Sequence, residues 1–413
     1  MKLKFLTTLL TLFLCFLSSE AQTFHNPIKV GGIYYNFSGT EATVTYLLNG
    51  TNNTPAYTGD VVIPETVTYD GTTYRVTTIG NAAFQYCTNL TSVTLPSSVT
   101  SFGFQAFYLC DNLTSFEIPN SVKSVGSNAF SGCTGLKSIE IPNSVDSVGF
   151  YVFSDCTSLT SVTISSSMPT INDYMFTGCS GLKEVFIPNT VTSIGVKSFQ
   201  NCTSLASITF PESIVSIGND AFNGCSGLES IDFPSSVKSL GDRAFLGCSS
   251  LKSVTLPKGM ETIGMGAFSK CSSLTDVSIP SSVTSIGMSA FGACNNLVTV
   301  KVDIKTPLPI AQYTFINRKN ATLYVPQGCK GAYEEAQYWK EFKSIVEMGE
   351  ANDADVNKDG DVTIADVTAL VNIILGKDDA EPYLYDHGRA DINKDGSITI
   401  ADVTALVNII LEL

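Results

Sequence analysis

Two short segments near the end of the printed chain carry oxygen-bearing side chains at a spacing that suits a metal ion. Residues 355–366 read DVNKDGDVTIAD, and residues 391–402 read DINKDGSITIAD. A calcium loop of twelve residues places oxygen ligands at positions 1, 3, 5, 7, 9 and 12, with glycine at position 6 for a sharp turn. Both segments meet this pattern, with Gly360 and Gly396 at position 6. Hard oxygen donors at this spacing favour Ca²⁺ over a transition metal.

The pattern names six candidate ligands in each segment and therefore predicts two Ca²⁺ ions. In the first segment the candidates are Asp355, Asn357, Asp359, Asp361, Thr363 and Asp366. In the second they are Asp391, Asn393, Asp395, Ser397, Thr399 and Asp402. Position 7 ligates through its backbone carbonyl and position 9 often acts through water, so hydroxyl residues fit there. The alternative, a solvated acidic tail, is disfavoured because the glycine recurs and both segments lead into the same sequence, VTALVNII.

Negative charge is concentrated in this same part of the chain. Residues 351–413 hold 13 acidic residues against four basic ones, whereas the net charge of the whole chain is −14. A local excess of acids favours a bound cation. It also disfavours nucleic acid and anionic membrane surfaces as partners.

No catalytic arrangement is evident in the sequence. The two histidines, His25 and His387, do not lie in a context typical of a serine or cysteine nucleophile, and no glycine-rich phosphate loop occurs. Acids such as Glu140, Glu184 and Asp232 are scattered through the chain. Two of them could in principle form a glycosidase pair, but solvated charges on a strand face are the simpler interpretation. We therefore expect a protein that is not an enzyme.

The calcium loops follow a long internal repeat that must form most of the structure. Phenylalanine recurs every 23 residues, at Phe84, Phe107, Phe130, Phe153, Phe176, Phe199, Phe222, Phe245, Phe268 and Phe291, and Phe315 follows after 24. A cysteine lies three residues after each of the first ten phenylalanines, and a leucine lies three residues after each cysteine. A fixed period in this range predicts a solenoid.

Each repeat contains one segment that favours a strand and one that favours a turn. The segment LTSVTLP, residues 90–96, fits the pattern L-x-x-L-x-L, so its inward residues stack on the next coil and its outward residues form a parallel ladder. Proline ends the strand because it cannot donate to the ladder. Gly80 and its equivalents are expected to supply a turn that needs the freedom of glycine in φ.

The predicted fold class is a β-rich α/β solenoid of 23-residue coils with N- and C-terminal caps. A small all-α module of duplicated calcium-loop-helix units is predicted to follow it. The ten repeat cysteines are not expected to form disulfides, because an in-register column keeps the sulfur atoms about as far apart as the strands, about 4.8 Å. Zinc sites require clustered ligands. We expect a buried ladder of reduced thiols that pack as small hydrophobic side chains.

The repeat resembles the BspA-like leucine-rich repeat family of secreted or surface-held bacterial proteins. The shared pattern, A-F-x-x-C-x-x-L-x-x-V/I-x-I-P-x-x-V-x-x-I-G, runs from about Ile79 to Leu297. The resemblance places an N-terminal β cap at residues 22–78, where Asp70-Gly71 is a hairpin signal, the solenoid at 79–322 and a C-terminal cap at 323–349. Helical spacing predicts that a short amphipathic helix in this last cap carries Tyr333, Ala336, Trp339, Phe342 and Ile345.

Residues 352–413 resemble a type I dockerin, because loop-then-helix units are duplicated and aspartate occupies position 12 of each loop. The resemblance implies folding on calcium into two antiparallel helices that bind a cohesin module of a scaffold or surface protein. It also implies that positions 10 and 11 help to choose the partner. These positions are Ile364-Ala365 and Ile400-Ala401, so we expect an apolar docking patch on two near-equivalent faces that contacts a cohesin-like protein.

Residues 1–21 have the pattern of a secretory signal peptide. Two lysines precede an apolar stretch at residues 5–17, and small residues precede a cleavage point ahead of Gln22. A lipid anchor at Cys15 is the alternative, but Leu14 stands where acylated cysteines usually follow a small residue. No later segment is apolar for long enough to cross a bilayer. The expected location of the mature chain is secreted or cell-surface associated, without a transmembrane segment.

Two functions follow from this organisation. In the first, an exported adhesion protein uses its solenoid to recognise a host, matrix or bacterial surface protein or a glycan, and its dockerin to dock onto a cohesin-like partner. In the alternative, the chain is a non-catalytic component of an extracellular polysaccharide-degrading assembly. The outward strand positions are mostly serine and threonine, and Phe186 is the one large apolar exception and a candidate anchor.

Overall fold

The structure of the protein is a computed structural model. It describes residues 27–46, 57–348, 356, 364–375, 390–393 and 397–412. The predicted signal peptide, residues 1–21, lies outside the described residues. Two separate hydrophobic cores are present, one in the solenoid and one in the C-terminal module. The predicted fold class is confirmed.

A β cap covers the first coil of the solenoid. Its strands are β1 (Ile28–Val30), β2 (Ile33–Ser38), β3 (Glu41–Thr45), β4 (Gly59–Val62), β5 (Thr66–Tyr69) and β6 (Thr72–Ile79). β5 and β6 form an antiparallel hairpin through Asp70 and Gly71, whose φ values of 48° and 76° suit the predicted turn. The ring of Tyr57 packs on Phe84 at 4.7 Å between centroids, so the cap closes the apolar end of the solenoid.

The predicted strand forms in seven of the repeat coils. These strands are β7 (Leu90–Thr94), β10 (Ser138–Glu140), β12 (Ser161–Thr163), β14 (Glu184–Phe186), β18 (Ser253–Thr255), β20 (Asp276–Ile279) and β22 (Thr299–Val302). Where they pair with each other, they do so in parallel, each residue opposite its equivalent one coil away. The coils at residues 113–118, 205–210 and 228–233 have no continuous strand at this place.

The three interrupted coils share one feature, which is an additional inward phenylalanine. Phe116, Phe210 and Phe233 stand where the other coils carry valine, isoleucine or leucine. Phe210 packs edge-on against Phe222 with 5.7 Å between ring centroids, and Phe116 packs in the same way on Phe107 at 4.8 Å. In the coils that carry the extra ring, the ladder is absent or reduced to single bridges, Thr209 with Asp232 and Asp232 with Thr255.

A second parallel ladder, which the sequence did not predict, lies in the segment before each repeat glycine. Its strands are β8 (Ser101–Phe102), β9 (Ser124–Val125), β11 (Ser147–Val148), β13 (Thr170–Ile171), β15 (Ser193–Ile194), β16 (Ser216–Ile217), β17 (Ser239–Leu240), β19 (Thr262–Ile263) and β21 (Ser285–Ile286). The segment between glycine and cysteine also pairs across coils, as when the Phe84 N–H donates to the Ala106 carbonyl at 2.7 Å. Each coil is therefore tied to its neighbour along several segments.

The predicted reason for the repeat glycines is wrong. Gly80 and its equivalents are not among the glycines with positive φ. Their role is close approach, because a Cβ at Gly126 would lie 2.5 Å from the carbonyl carbon of Gly103 in the preceding coil. A Cβ at Gly103 would likewise lie 2.5 Å from the backbone nitrogen of Asn81. Glycine is required so that the backbones of successive coils can touch.

A continuous stack of rings fills the centre of the solenoid. Neighbouring repeat phenylalanines from Phe84 to Phe315 lie 5.0–5.7 Å apart between centroids and within 15° of parallel. Such offset stacks add to the hydrophobic stabilisation of buried aromatic side chains. Because each ring packs on its copy in the next coil, the stack keeps the coils in register.

The repeat cysteines form a buried ladder of free thiols, as predicted. From Cys110 to Cys294, each Sγ lies 3.0–3.4 Å from the carbonyl oxygen of the phenylalanine 26 residues earlier, to which it donates. Burial raises the pKa of Cys225 to about 12, so the thiol stays protonated and unreactive.

The C-terminal cap combines a short helix, two 3₁₀ turns and two strands. They are the turn Arg318–Asn320, β23 (Thr322–Val325), α1 (Lys330–Glu335), the turn Trp339–Glu341 and β24 (Ser344–Glu347). The prediction of one amphipathic helix is wrong in extent, because only Tyr333 lies in α1, whereas Trp339 lies in the second turn and Ile345 in β24. Ala336 and Phe342 directly follow α1 and the second turn. Trp339 Nε1 donates to the Leu308 carbonyl at 2.7 Å, and its ring packs 5.5 Å from Phe315, which ends the stack.

Two helices complete the described chain, α2 (Ile364–Ile374) and α3 (Ile400–Glu412). Among the residues that the structure describes, no helix combines the length and apolarity that crossing a bilayer requires.

Candidate calcium-binding and docking module

The helices α2 and α3 form the core of the C-terminal module. Both begin with the same eleven residues, IADVTALVNII, and the apolar positions recur at helical spacing. The buried core consists of Val356, Ala369, Leu370, Ile373, Ala390 and Leu406. This is a small core, because it holds only six buried apolar side chains among the described residues of the module.

Asp402, position 12 of the second loop, is fully buried in the first turn of α3. The backbone N–H of Asn393 donates to its Oδ1 at 3.1 Å, and the backbone N–H of Thr399 donates to its Oδ2 at 2.8 Å. These bonds draw loop positions 3 and 9 onto position 12. The carboxylate therefore closes the loop onto the helix, which is the geometry that a calcium loop requires.

The pKa of Asp402 lies below its usual range. Burial raises the pKa, but the backbone N–H groups of Thr399, Asn393 and Ile392 lower it by a larger amount, because they donate to the charged form. The side chain is thus a buried carboxylate that stays ionised, and a buried anion with this neighbourhood suits a hard cation.

The first copy shows the same burial of position 12. Asp366, its position 12, is also fully buried in the first turn of α2. Thr368 Oγ1 donates to the Ile364 carbonyl at 3.2 Å, and Thr404 Oγ1 donates to the Ile400 carbonyl at the same distance. The two copies therefore fold alike at the start of each helix.

Six of the twelve predicted ligands lie within the described residues. Asp366 and Asp402 are buried, Asp391 is half-buried, and Asn393, Ser397 and Thr399 are exposed. The other six, and the two loop glycines, lie outside the described residues: Asp355, Asn357, Asp359, Asp361, Thr363, Asp395, Gly360 and Gly396. Within the described ranges, no three His, Cys, Asp or Glu side chains cluster as a metal site. The assignment of all twelve ligands stays a prediction.

The four predicted docking residues lie at the surface. Ile364 is 72% exposed and Ile400 is 71% exposed, and Ala365 and Ala401 beside them are exposed as well. The isoleucine is thus exposed at the same place in both copies, and its role in docking stays a prediction. The structure thus presents two equivalent apolar patches, each directly after its loop.

The outward face of the solenoid is polar except near β14. Pairing places Glu140, Thr163 and Phe186 in one row across three strands, and Glu184 in the row of Ser138 and Ser161. Phe186 is 58% exposed.

A cleft beside Phe186 is a candidate site that the sequence analysis missed. It lies at the interruption of the ladder next to residues 205–210. The signal that predicts it is Phe210, a bulky residue at a position where most coils carry a smaller aliphatic side chain.

Comparison with protein families finds two matches along the chain. The family described as BspA type leucine rich repeat region, in six copies, matches residues 77–206 and 192–322. The dockerin type I domain matches residues 353–411. No curated protein matches the chain.

Several solved structures are similar to the chain over the solenoid, among them one from Bacteroides ovatus and one from Faecalibacterium prausnitzii. A leucine-rich repeat protein from Bacteroides ovatus is 27% identical, with a TM-score of 0.62, over 77% of this chain and 88% of its own length. A leucine rich cell surface protein from Faecalibacterium prausnitzii is 24% identical, with a TM-score of 0.52, over 80% of this chain and 97% of its own length. The second likeness shows the fold alone.

Proposed function

We propose an exported binding function for this chain, which belongs to the BspA-type leucine-rich repeat family and ends in a type I dockerin domain. Both families are typically non-catalytic. The dockerin implies a cohesin partner and a requirement for calcium, and the leucine-rich repeats imply protein binding. In this proposal, the solenoid recognises a ligand on a host, matrix or bacterial surface, and the module holds the solenoid at a cohesin-bearing site.

The observation that carries the proposal is the shared architecture of the two loop-helix copies. In each copy a fully buried aspartate begins a helix, beside an isoleucine that is more than 70% exposed. Two Ca²⁺ ions, each held by the six predicted ligands of one loop, would neutralise the acidic loops when bound. The buried aspartates orient the helix starts, and the exposed Ile364-Ala365 and Ile400-Ala401 pairs then contact the cohesin.

Tethering explains why a module of this kind would accompany a solenoid. A flat polar face binds by many weak contacts, and attachment to a partner raises its effective concentration near the ligand. We propose adhesion as the outcome, with export through the signal peptide at residues 1–21 and a secreted or cell-surface location. The domain limits are those given by the sequence: 22–78, 79–322, 323–349 and 352–413.

A second candidate function is membership of an extracellular polysaccharide-degrading assembly, as a component that does not catalyse. The type I dockerin match favours it, since the family docks onto cohesins, and the exposed Phe186 offers a place for a sugar ring. In both functions the module has the same task, and they differ in what the solenoid binds.

The docking proposal is tested by capture of the full chain on immobilised cohesin modules, in calcium and in chelator. We expect retention in calcium alone. Because the copies are equivalent, Ile364→Asp or Ile400→Asp singly should weaken capture by less than the double change, which should abolish it. Val298→Asp, an exposed apolar position of the solenoid, is the matched control. Retention that persists in chelator, or that survives the double change, would refute the assigned surface.

A further inference from the structure

The strand face opens into a cleft where the first ladder is interrupted. The cleft has a volume of about 550 Å³ and is lined by β14 and by the following coil, including Ser207 and Thr209. Ligand clefts are typically of this size. Among the described strand pairs, β14 pairs with β12, and Thr209 pairs with Asp232, so that each side of the cleft pairs away from it.

The cleft is a wedge that opens on one face of the solenoid. Behind it the same two coils stay stacked, because Phe176 and Phe199 lie 5.4 Å apart between centroids and β15 pairs with β16. Phe210 is buried and occupies the inward position next to Thr209, on the coil that forms the second side of the cleft. A peptide strand inserted between the coils would need two strand spacings, about 9.6 Å. The Ser204 N–H donates to the Ser180 carbonyl and the Val215 N–H to the Thr192 carbonyl, so the two coils are in contact before and after the cleft. A flat group suits this wedge better than an extra strand.

The lining combines one aromatic face with hydroxyl groups. Phe186 projects its ring, which is 58% exposed, from β14. Thr163 lies beside it in the same row, and Thr209 lies in the next coil on the other side of the cleft. An exposed ring between hydroxyl groups matches a ligand that has an apolar face and a polar edge.

The charges around the cleft exclude an anionic ligand. Lys183 and Glu184 are the charged residues of the lining, and they balance each other. Glu140 extends the row of Phe186 on one side, and Asp232 pairs with Thr209 on the other. Carboxylates on both flanks repel a uronate or sulfate but accept hydrogen bonds from neutral hydroxyl groups.

We propose that this cleft binds a neutral polysaccharide, with one sugar ring stacked on Phe186. The C–H face of the ring would lie on the phenyl group, and its hydroxyl groups would bond to Thr163, Thr209 and Glu184. The inference rests on the proposed binding function and names the class of ligand for the solenoid.

The test uses the full chain in calcium and affinity electrophoresis in gels that contain arabinoxylan, galactomannan or mixed-linkage β-glucan. Gels with polygalacturonate or heparin supply the anionic comparison. We expect at least one neutral polysaccharide to retard the chain and neither anionic one to do so. Phe186→Ala should weaken the association about tenfold or more, equivalent to about 1.4 kcal/mol, because the stacked ring is removed.

Two further variants distinguish binding in the cleft from nonspecific binding of polysaccharide to the protein surface. Phe150→Ala removes a ring that is 51% exposed and absent from the cleft lining, so it should leave retardation unchanged. Phe210→Ile replaces the extra ring by the side chain type that other coils carry; it should narrow the cleft and reduce retardation, and circular dichroism should show that the solenoid stays folded.

Three results would overturn the inference: no retardation by any neutral polysaccharide, an equal loss in Phe150→Ala, or retardation by the anionic polymers instead. If a protein ligand binds the solenoid but no neutral polysaccharide retards the chain, the glycan cleft is refuted and the proposed binding function stays intact. Failure of cohesin capture alone would refute the docking function and leave the cleft unaffected.

Discussion

The solenoid and the C-terminal module bury different chemistry. The solenoid buries a continuous column of phenylalanine, leucine and neutral cysteine, in which each coil repeats the contacts of the last. The module buries two aspartates, Asp366 and Asp402, beside a core of six apolar side chains. Burying a carboxylate costs free energy unless a partner compensates it. The solenoid is held together by stacked side chains and by hydrogen bonds between coils, whereas the buried carboxylates make the module the part that calcium is expected to stabilise.

Calcium removal should produce the largest effect, and it should affect the C-terminal module but not the solenoid. In chelator we expect the amides of residues 364–375 and 397–412 to lose protection from hydrogen exchange, because metal binding and folding are coupled in such loops. The solenoid amides should keep their protection. Unchanged protection in the module, or loss in both parts, would remove the contrast between the two regions.

The next prediction breaks the stack within the solenoid. Phe222 lies between Phe199 at 5.2 Å and Phe245 at 5.1 Å, and it is fully buried. Phe222→Ala should lower the free energy of unfolding by about 3–5 kcal/mol, because it removes a large buried side chain and leaves a cavity. Urea denaturation measures the loss. The exposed Phe150→Ala should change stability by less than about 0.5 kcal/mol, and a similar loss at both positions would contradict the role of the stack.

A smaller effect is expected where the coils touch through glycine. Gly126→Ala would place a Cβ 2.5 Å from the Gly103 carbonyl carbon, so the coils must separate. We expect a loss of roughly 1–3 kcal/mol, the cost of overpacking. Gly331 in α1 has no atom within 4 Å of the equivalent Cβ position, and Gly331→Ala should be neutral or stabilising. Equal tolerance of both changes would show that the coils are not in contact there.

The smallest effect is expected for the ion pair between Asp220 and Arg243, which links two neighbouring repeat coils. Asp220 accepts two hydrogen bonds of 2.9 Å from Arg243 in the next coil. Burial raises the pKa of Asp220, but hydrogen bonds from Arg243 and Asn223 lower it by more, so the pKa lies below its usual value. The ion pair therefore stabilises the solenoid above the usual aspartate pKa of 3.8 and loses this contribution as the pH falls through the lower folded pKa.

Asp220→Asn should accordingly lower the stability at pH 7 by about 1 kcal/mol, since the Arg243 side chain is 44% exposed and screened by water. The difference from the unchanged chain should shrink below pH 3.8, where more than half of an unperturbed aspartate is protonated in the unfolded chain. Thermal denaturation at a series of pH values provides the measurement. A difference that is constant with pH would show that shape, and not charge, is what Asp220 contributes.

Much of the fold follows from the sequence because it is periodic. A side chain that recurs every 23 residues must meet its own copy in the next coil, so the phenylalanine stack, the thiol ladder and the strand segment could be predicted. The hairpin at Asp70-Gly71 could be predicted as well, because both residues tolerate positive φ. The calcium loops could be read from ligand spacing, although only half of their predicted ligands lie within the described residues.

Other features depend on how neighbouring coils fit together. The second ladder and the close approach at Gly126 arise from backbone contacts that leave no signature in side-chain pattern. The apolar spacing from Tyr333 to Ile345 suits a helix. However, Ile345 lies in β24 and pairs with Leu323 in β23, so tertiary pairing overrides the local preference for helix. The interruptions fall in the three coils that carry Phe116, Phe210 and Phe233, and strand propensity alone does not predict them because phenylalanine favours strands.

The sequence by itself therefore determined the repeat, its inward and outward faces and the duplicated acidic loops, since these depend on residue type and spacing alone. Three features could be learned only from the tertiary structure. They are the positions where the ladder is interrupted, the close approach that requires the repeat glycines, and the hydrogen bonds that the backbone amides of Asn393 and Thr399 donate to Asp402. Those outcomes depend on distances between atoms that are remote along the chain. Such distances are fixed by packing, because backbone and side chains must fill the same space without overlap.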